Sequence, residues 1–142
     1  MKRYIHILCV LGASLALLAG GARAADYLIV ANPAVPVSAV SKEDLKNILL
    51  GNKASWDGGG AIKLALLTEG SVHETVIQAV ASRSADQFDK YWKKLVFTGK
   101  SVAPDTFKTE AELLAFVAKT PGAVGYAAAG AATDGVKVLK VE

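Results

Sequence analysis

The stretch that most constrains this chain runs from Ile62 to Glu74, where a short apolar run, Ile62 to Leu67, is broken at Gly70 and followed by a helical pattern. An apolar run of that length suits a buried strand, and Ser71 with Glu74 three residues on has the spacing of a capping box. The segment therefore predicts a strand that turns directly into a helix, with Gly70 in the turn. A helix that starts at the carboxyl end of a buried strand points its unpaired N–H groups and positive dipole end into the crevice where open α/β sheets bind ligands. An anion is the first ligand such a junction suggests.

Residues 1–24 read as a cleaved signal peptide: Lys2 and Arg3 form a basic start, Tyr4 to Ala19 is almost wholly apolar, and Ala22 and Ala24 supply the small-x-small pattern. The apolar run is about 16 residues, short of the roughly 20 that a spanning helix needs. Export to the periplasm with cleavage after Ala24 is expected, with no membrane insertion afterwards and one domain over 25–142. The leader holds three of the 16 basic residues and none of the 13 acidic ones, so the rest of the chain balances at 13 of each. The basic balance thus belongs to the leader, and a nucleic-acid partner, which needs a basic face, is not supported. Lys90, Lys93, Lys94 and Lys100 read as a solvated helix face. The one cysteine, Cys9, also lies in the leader, which excludes disulfides, thiolate catalysis and cysteine metal sites from the domain.

In chain order, Asp26 to Asn32 carries an unbroken apolar run and predicts a first strand buried on both faces. Pro33 and Pro36 stop regular pairing, and Ser41 opens a helix with Leu45, Ile48 and Leu49 on one side, ending at Gly51. Trp56, in a glycine-rich turn, reads as a lid on the core. After the junction, Val72, Val76, Ile77 and Val80 give a second helix its stripe, and Arg83 marks its end. Ser84 and Gln87 cap a third helix, in which Phe88, Tyr91, Trp92, Leu95 and Val96 form the clearest amphipathic pattern of the chain, and Phe88, Tyr91, Trp92 and Leu95 are expected in the core. Ser101 to Phe107 reads as a loop, Thr109 and Glu112 cap a fourth helix that stops before Pro121, and two further strands close the chain. The order β, α, β, α, α, α, β, β predicts an α/β sandwich around a short sheet.

Three segments together resemble one family. Leu45 to Lys53 with Trp56 is similar to a helix, Gly-Lys and tryptophan; Thr120 to Tyr126, TPGAVGY, is similar to a turn and strand; Glu69, Gly70 and Ser71 fall at an anion-binding Gly-Ser. The family they resemble is the phosphate-binding periplasmic proteins, the PstS-like branch of type 2 solute-binding proteins. The resemblance implies a single lobe of a type 2 periplasmic-binding-protein fold, a short mixed sheet flanked by about four helices, in a short form of a family whose full-length members close two lobes on the ligand. It also implies phosphate or a related oxyanion as ligand and an ABC permease as partner. Within the matched lobe, Leu67 stands where the family typically has an arginine, and Val72 and His73 replace its following Gly and Thr. The strongest bidentate donor for phosphate is therefore absent from that position.

The candidate ligand-binding residues are Gly70, Ser71, Val72 and His73. All four predicted helices open with Ser or Thr and an acidic or amide residue three on, and a cap worth ~1 kcal/mol explains Ser71 without any ligand. In favour of a site, only Ser71 follows a strand directly through a glycine. His73, the domain's only histidine, is expected in solvent, with a substitute role as anion donor left open. No second histidine, cysteine or acidic cluster stands at ligand spacing, so no metal or cofactor is predicted. Ser71 and His73 share a turn without an orienting carboxylate, so no enzyme is predicted either. Two classes of function remain. One is a solute-binding domain for phosphate or another small oxyanion; the other is a ligand-free lobe acting as an interaction or sensory module on an envelope protein, with a homodimer also open.

Overall fold

A computed structural model describes residues 26–142; the expected leader lies outside the described residues. Strand β1 (Tyr27–Ala31) runs through the middle and pairs antiparallel with both β5 (Ala123–Ala128) and β6 (Lys137–Val141). Next to β5 lies β3 (Lys63–Leu67), and next to β3 lies β4 (Asp105–Phe107), both contacts parallel. A two-residue strand, β2 (Ala39–Val40), pairs parallel with the far side of β6. The result is one mixed six-stranded sheet in the order β2-β6-β1-β5-β3-β4. The apolar runs that predict β1 and β3 are the ones the sheet buries, with Val30, Ala31, Ala65 and Leu66 almost without exposure.

Two strands depart from the sequence reading. Residues Asp105–Phe107 were expected in a loop and form the edge strand β4, and Ala39–Val40 pair despite the nearby prolines. Both are short edge elements whose pairing is imposed by the neighbour, β3 or β6, rather than by a pattern of their own.

Four helices surround the sheet: α1 (Lys42–Leu49), α2 (Ser71–Val76), α3 (Ala85–Phe97) and α4 (Glu110–Lys119). Neighbouring residues of a strand face opposite sides. Tyr126 reaches α2, whereas a side chain on Gly125 would run into Leu113 of α4, so these two helices lie on opposite faces. Three helices are capped as their sequence predicts. Ser41 Oγ accepts from the Asp44 amide, Thr109 Oγ1 from that of Glu112, and Ser84 with Gln87 completes a reciprocal capping box. Beyond Val76, α2 continues through a π-helical turn, Ile77–Ala81, and ends at Ser82 in the left-handed region. No feature of the sequence explains that widened turn.

The core joins these layers through aromatic side chains with satisfied polar ends. Trp92 is buried and donates from Nε1 to the Leu49 carbonyl at 2.9 Å, while the half-buried Tyr91 donates to Leu50 at 2.6 Å. Together they occupy carbonyls that the end of α1 leaves open. Phe88 is also core, whereas Val96 is 41% exposed and Phe97 92% exposed, so the α3 stripe leaves the core in its last turn. Two of the α3 lysines stand in exposed ion pairs, Lys90 with Asp86 and Lys93 with Asp89, as a solvated face requires. Asn32 is buried at the end of β1, where its Nδ2 donates to Val117 and its Oδ1 accepts from the Ala34 amide.

Trp56 is the lid the sequence suggests, buried with Nε1 donating to the Gly122 carbonyl at 3.0 Å. Gly122 has a φ of +82°, and a Cβ there would lie 2.2 Å from the Ala61 carbonyl oxygen. Backbone strain and overpacking then act together. Gly122→Ala is expected to destabilise the protein by roughly 2–4 kcal/mol, read as a lowered denaturant midpoint with unchanged slope.

Candidate functional site at the β3–α2 junction

The junction forms as the sequence predicts, but its cap is displaced by one residue. Gly70, with φ +106° and ψ 166°, is the N-cap, and Ser71 is the first helical residue. The Ser71/Glu74 capping box is therefore absent: no side chain accepts from the first turn of α2. That φ is open to glycine at little cost, and it places the cap before the serine could occupy it. The first intrahelical bond runs from the Glu74 amide to Gly70, leaving the amides of Ser71, Val72 and His73 without a helical acceptor. Ser71 is exposed, so its hydroxyl stands free beside those amides.

Parallel pairing of β3 with β4 brings the start of α4 alongside. Leu67, Glu69, Gly70, Ser71 and Val72 face Lys108, Thr109 and Glu110 across an open depression of about 290 Å³. Lys108 contributes positive charge, while Glu69 contributes a carboxylate. Glu110 turns back and accepts from the Ala128 amide at the end of β5, which occupies one of its oxygens. Sequence reasoning missed Lys108 and Thr109 because their proximity to Gly70 follows from the β3–β4 register, Leu67 opposite Phe107.

Of the four candidate residues, Gly70, Ser71 and Val72 border this depression and the His73 side chain does not. His73 was expected in solvent and is 6% exposed. The reason lies in the α2 stripe: His73 precedes Val76, Ile77 and Val80 by three, four and seven residues and turns inward with them. Beneath the junction its Nδ1 lies 2.5 Å from the Tyr126 hydroxyl, which also accepts from the Leu67 amide at 2.9 Å. With Leu67 as donor, the hydroxyl hydrogen goes to Nδ1, and neutral His73 carries its own proton on Nε2. Leu67 itself is buried, its side chain in the core.

Burial lowers the pKa of His73 below the usual histidine value, against smaller raising effects from Glu74 and Asp89, and burial raises that of Tyr126. Among the described residues no group of three metal-ligating side chains stands together. The site sets backbone amides, the Ser71 hydroxyl and one ammonium against the Glu69 and Glu110 carboxylates, which limits any binding of an oxyanion to a weak one.

No protein-family model and no curated protein sequence matches the chain. Solved structures do match it. An ABC-type phosphate transport receptor from Vibrio cholerae is 20% identical with a TM-score of 0.55, over 82% of this chain and 46% of that one. A putative phosphate ABC transporter substrate-binding protein with bound phosphate, from Clostridium perfringens, is 18% identical with a TM-score of 0.64, over 82% and 44%. PstS from Borrelia burgdorferi is 16% identical with a TM-score of 0.61, over 82% and 47%. The fold is thus that of an α/β periplasmic-binding-protein lobe. Within that class it is similar to the PstS phosphate-binding proteins, of whose length the chain spans less than half.

The sign of the His73 effect follows from its lowered pKa. Between the folded value and the unfolded value near ~6.5, the unfolded chain binds more protons, so stability rises with pH across that window. The contribution is complete above the unfolded value and is lost as pH falls toward the folded one. Unfolding free energy is expected to drop between pH 7 and pH 5 in the parent, and His73→Gln is expected to flatten that slope.

Proposed function

We propose that this chain is a periplasmic solute-binding domain that takes phosphate or a related small oxyanion at the first turn of α2 and works with an ABC-type uptake system. The observation that carries the reading is the Gly70 cap. The three other helices close their first turn with a Ser or Thr side chain, whereas α2 leaves its amides and the Ser71 hydroxyl open at the carboxyl end of β3. The likeness to phosphate-binding structures supports the ligand class, and Gly70, Ser71, Val72 and the His73 amide are the ligand groups of this proposal. Export and leader cleavage after Ala24 belong to the same proposal; among the described residues no helix is long and apolar enough to cross a membrane.

Affinity is expected to be low. Leu67 is buried and apolar where the resemblance implies an arginine, and Glu69 lies at the rim of an open depression. Water screens each contact, so a dissociation constant of about 1 mM, equivalent to ~4 kcal/mol, is expected for one copy of the chain. A second copy or an envelope partner covering the depression would tighten it. The second reading, an interaction module without ligand, is favoured by the same Leu67 and by the exposure of Phe97 and Val102.

Chemical-shift titration with phosphate, sulfate and acetate separates the two readings. The amides of Ser71, Val72 and His73 are expected to move with phosphate, and Ser71→Asp to abolish the response while leaving stability unchanged, since a carboxylate at a helix start is itself favourable. If no anion moves those amides at tens of millimolar, the interaction module replaces the solute-binding reading.

A further inference from the structure

A second concave surface lies on the other side of His73, away from the α2 amides. It is a groove of about 810 Å³ between α3 and the β3–β4 edge of the sheet. Leu66 and Thr106 belong to the two strands, and Phe88, Trp92 and Phe97 come from α3. Phe88 and Trp92 meet edge to face, with ring centroids 6.5 Å apart, while Phe97 is 92% exposed and extends the apolar lining outward. The volume is in the range of about 300–1,000 Å³ typical of small-molecule sites, and the lining is mostly apolar, as such sites are.

Of the polar residues that line this surface, one is buried. His73 lines the groove although it is 6% exposed. Its Nδ1 is taken by Tyr126, and its Nε2–H has no partner among the described residues. No fully buried side-chain nitrogen or oxygen lacks a partner among those residues, so Nε2 keeps some exposure, and the groove is the cavity that His73 lines. A buried donor held in one tautomer by a hydroxyl behind it is a preset hydrogen-bond donor for a ligand oxygen. The charges at the mouth select the rest of the ligand. Asp86 and Asp89 line the groove with Lys93 as the one cation, and Lys93 is paired with Asp89 at 2.7 Å. Asp86 is likewise paired with Lys90 at 2.9 Å, so among the described residues the mouth holds no unpaired cation to receive an anion, and a carboxylate drawn into the apolar lining would lose its water without a partner.

We propose that this groove binds an apolar small molecule that carries a carbonyl oxygen and no negative charge, the oxygen accepting from His73 Nε2–H and the body lying against Phe88, Trp92 and Phe97. The site is separate from the oxyanion depression in position and in the donor it offers, a ring N–H in place of open backbone amides. The two share Leu67 and no charged residue.

The test uses the exported protein and three probes of one size: acetophenone, ethylbenzene and benzoate. Acetophenone is expected to shift the His73 Nε2–H, the Trp92 indole N–H and the Thr106 amide. It is expected to bind about five- to tenfold more tightly than ethylbenzene, the effect of one neutral hydrogen bond, with benzoate weaker than both. Phe97→Ser, at an exposed position that leaves folding intact, should weaken acetophenone severalfold, and Thr106→Trp should fill the groove and abolish the response. Equal binding of ethylbenzene and acetophenone would overturn the His73 assignment, and equal binding of benzoate would overturn the charge selection. No response of Trp92 to acetophenone at tens of millimolar would overturn the site.

Discussion

The Tyr126 hydroxyl is the point on which the functional end of this domain depends. It accepts from the Leu67 amide at the end of β3 and donates to His73 in the first turn of α2, so one atom on β5 holds both sides of the junction. Each partner is buried, where an unmade hydrogen bond leaves a desolvated polar group at a cost of about 1–3 kcal/mol. The strand end and the helix start are fixed with respect to each other from below. Gly70 then spans the gap with a backbone conformation that a side chain would strain.

From that anchor a polar and an apolar surface follow. On the outer side, the unsatisfied amides of α2, the Ser71 hydroxyl and the Lys108 ammonium are hydrogen-bond donors to an open depression that also holds the Glu69 and Glu110 carboxylates. On the inner side, the imidazole faces an apolar groove with carboxylates at its mouth. Leu67 connects them. Its amide feeds the Tyr126 network while its side chain fills core, so this strand position supplies support to the junction and no charge to the ligand.

The sequence reading reached the strand–glycine–helix junction because it depends on local signals: an apolar run, a turn glycine and a helical stripe. The cap did not follow from the Ser71/Glu74 spacing, since the same spacing is satisfied at Ser84/Gln87 and only backbone geometry tells the two apart. His73 was misplaced for a readable reason. The stripe read from the sequence runs from Val72 through Val76, Ile77 and Val80, but His73, three residues before Val76, lies closer to its centre, and the histidine is buried while Val72 is half-buried. What local pattern could not contain is the pairing of β4 with β3, which brings Lys108 to Gly70 and opens the groove beside α3. Tyr126 was visible only as part of a resembling motif; its role needs the β5–β3 contact.

The nitrogen resonances of the His73 ring, read together with hydrogen exchange at the Leu67 amide, test this anchor most directly. A network running from Leu67 through Tyr126 to His73 predicts a neutral ring protonated at Nε2 and a Leu67 amide protected close to the level of global unfolding. A ring protonated at Nδ1, or averaging between tautomers, with a rapidly exchanging Leu67 amide would contradict it.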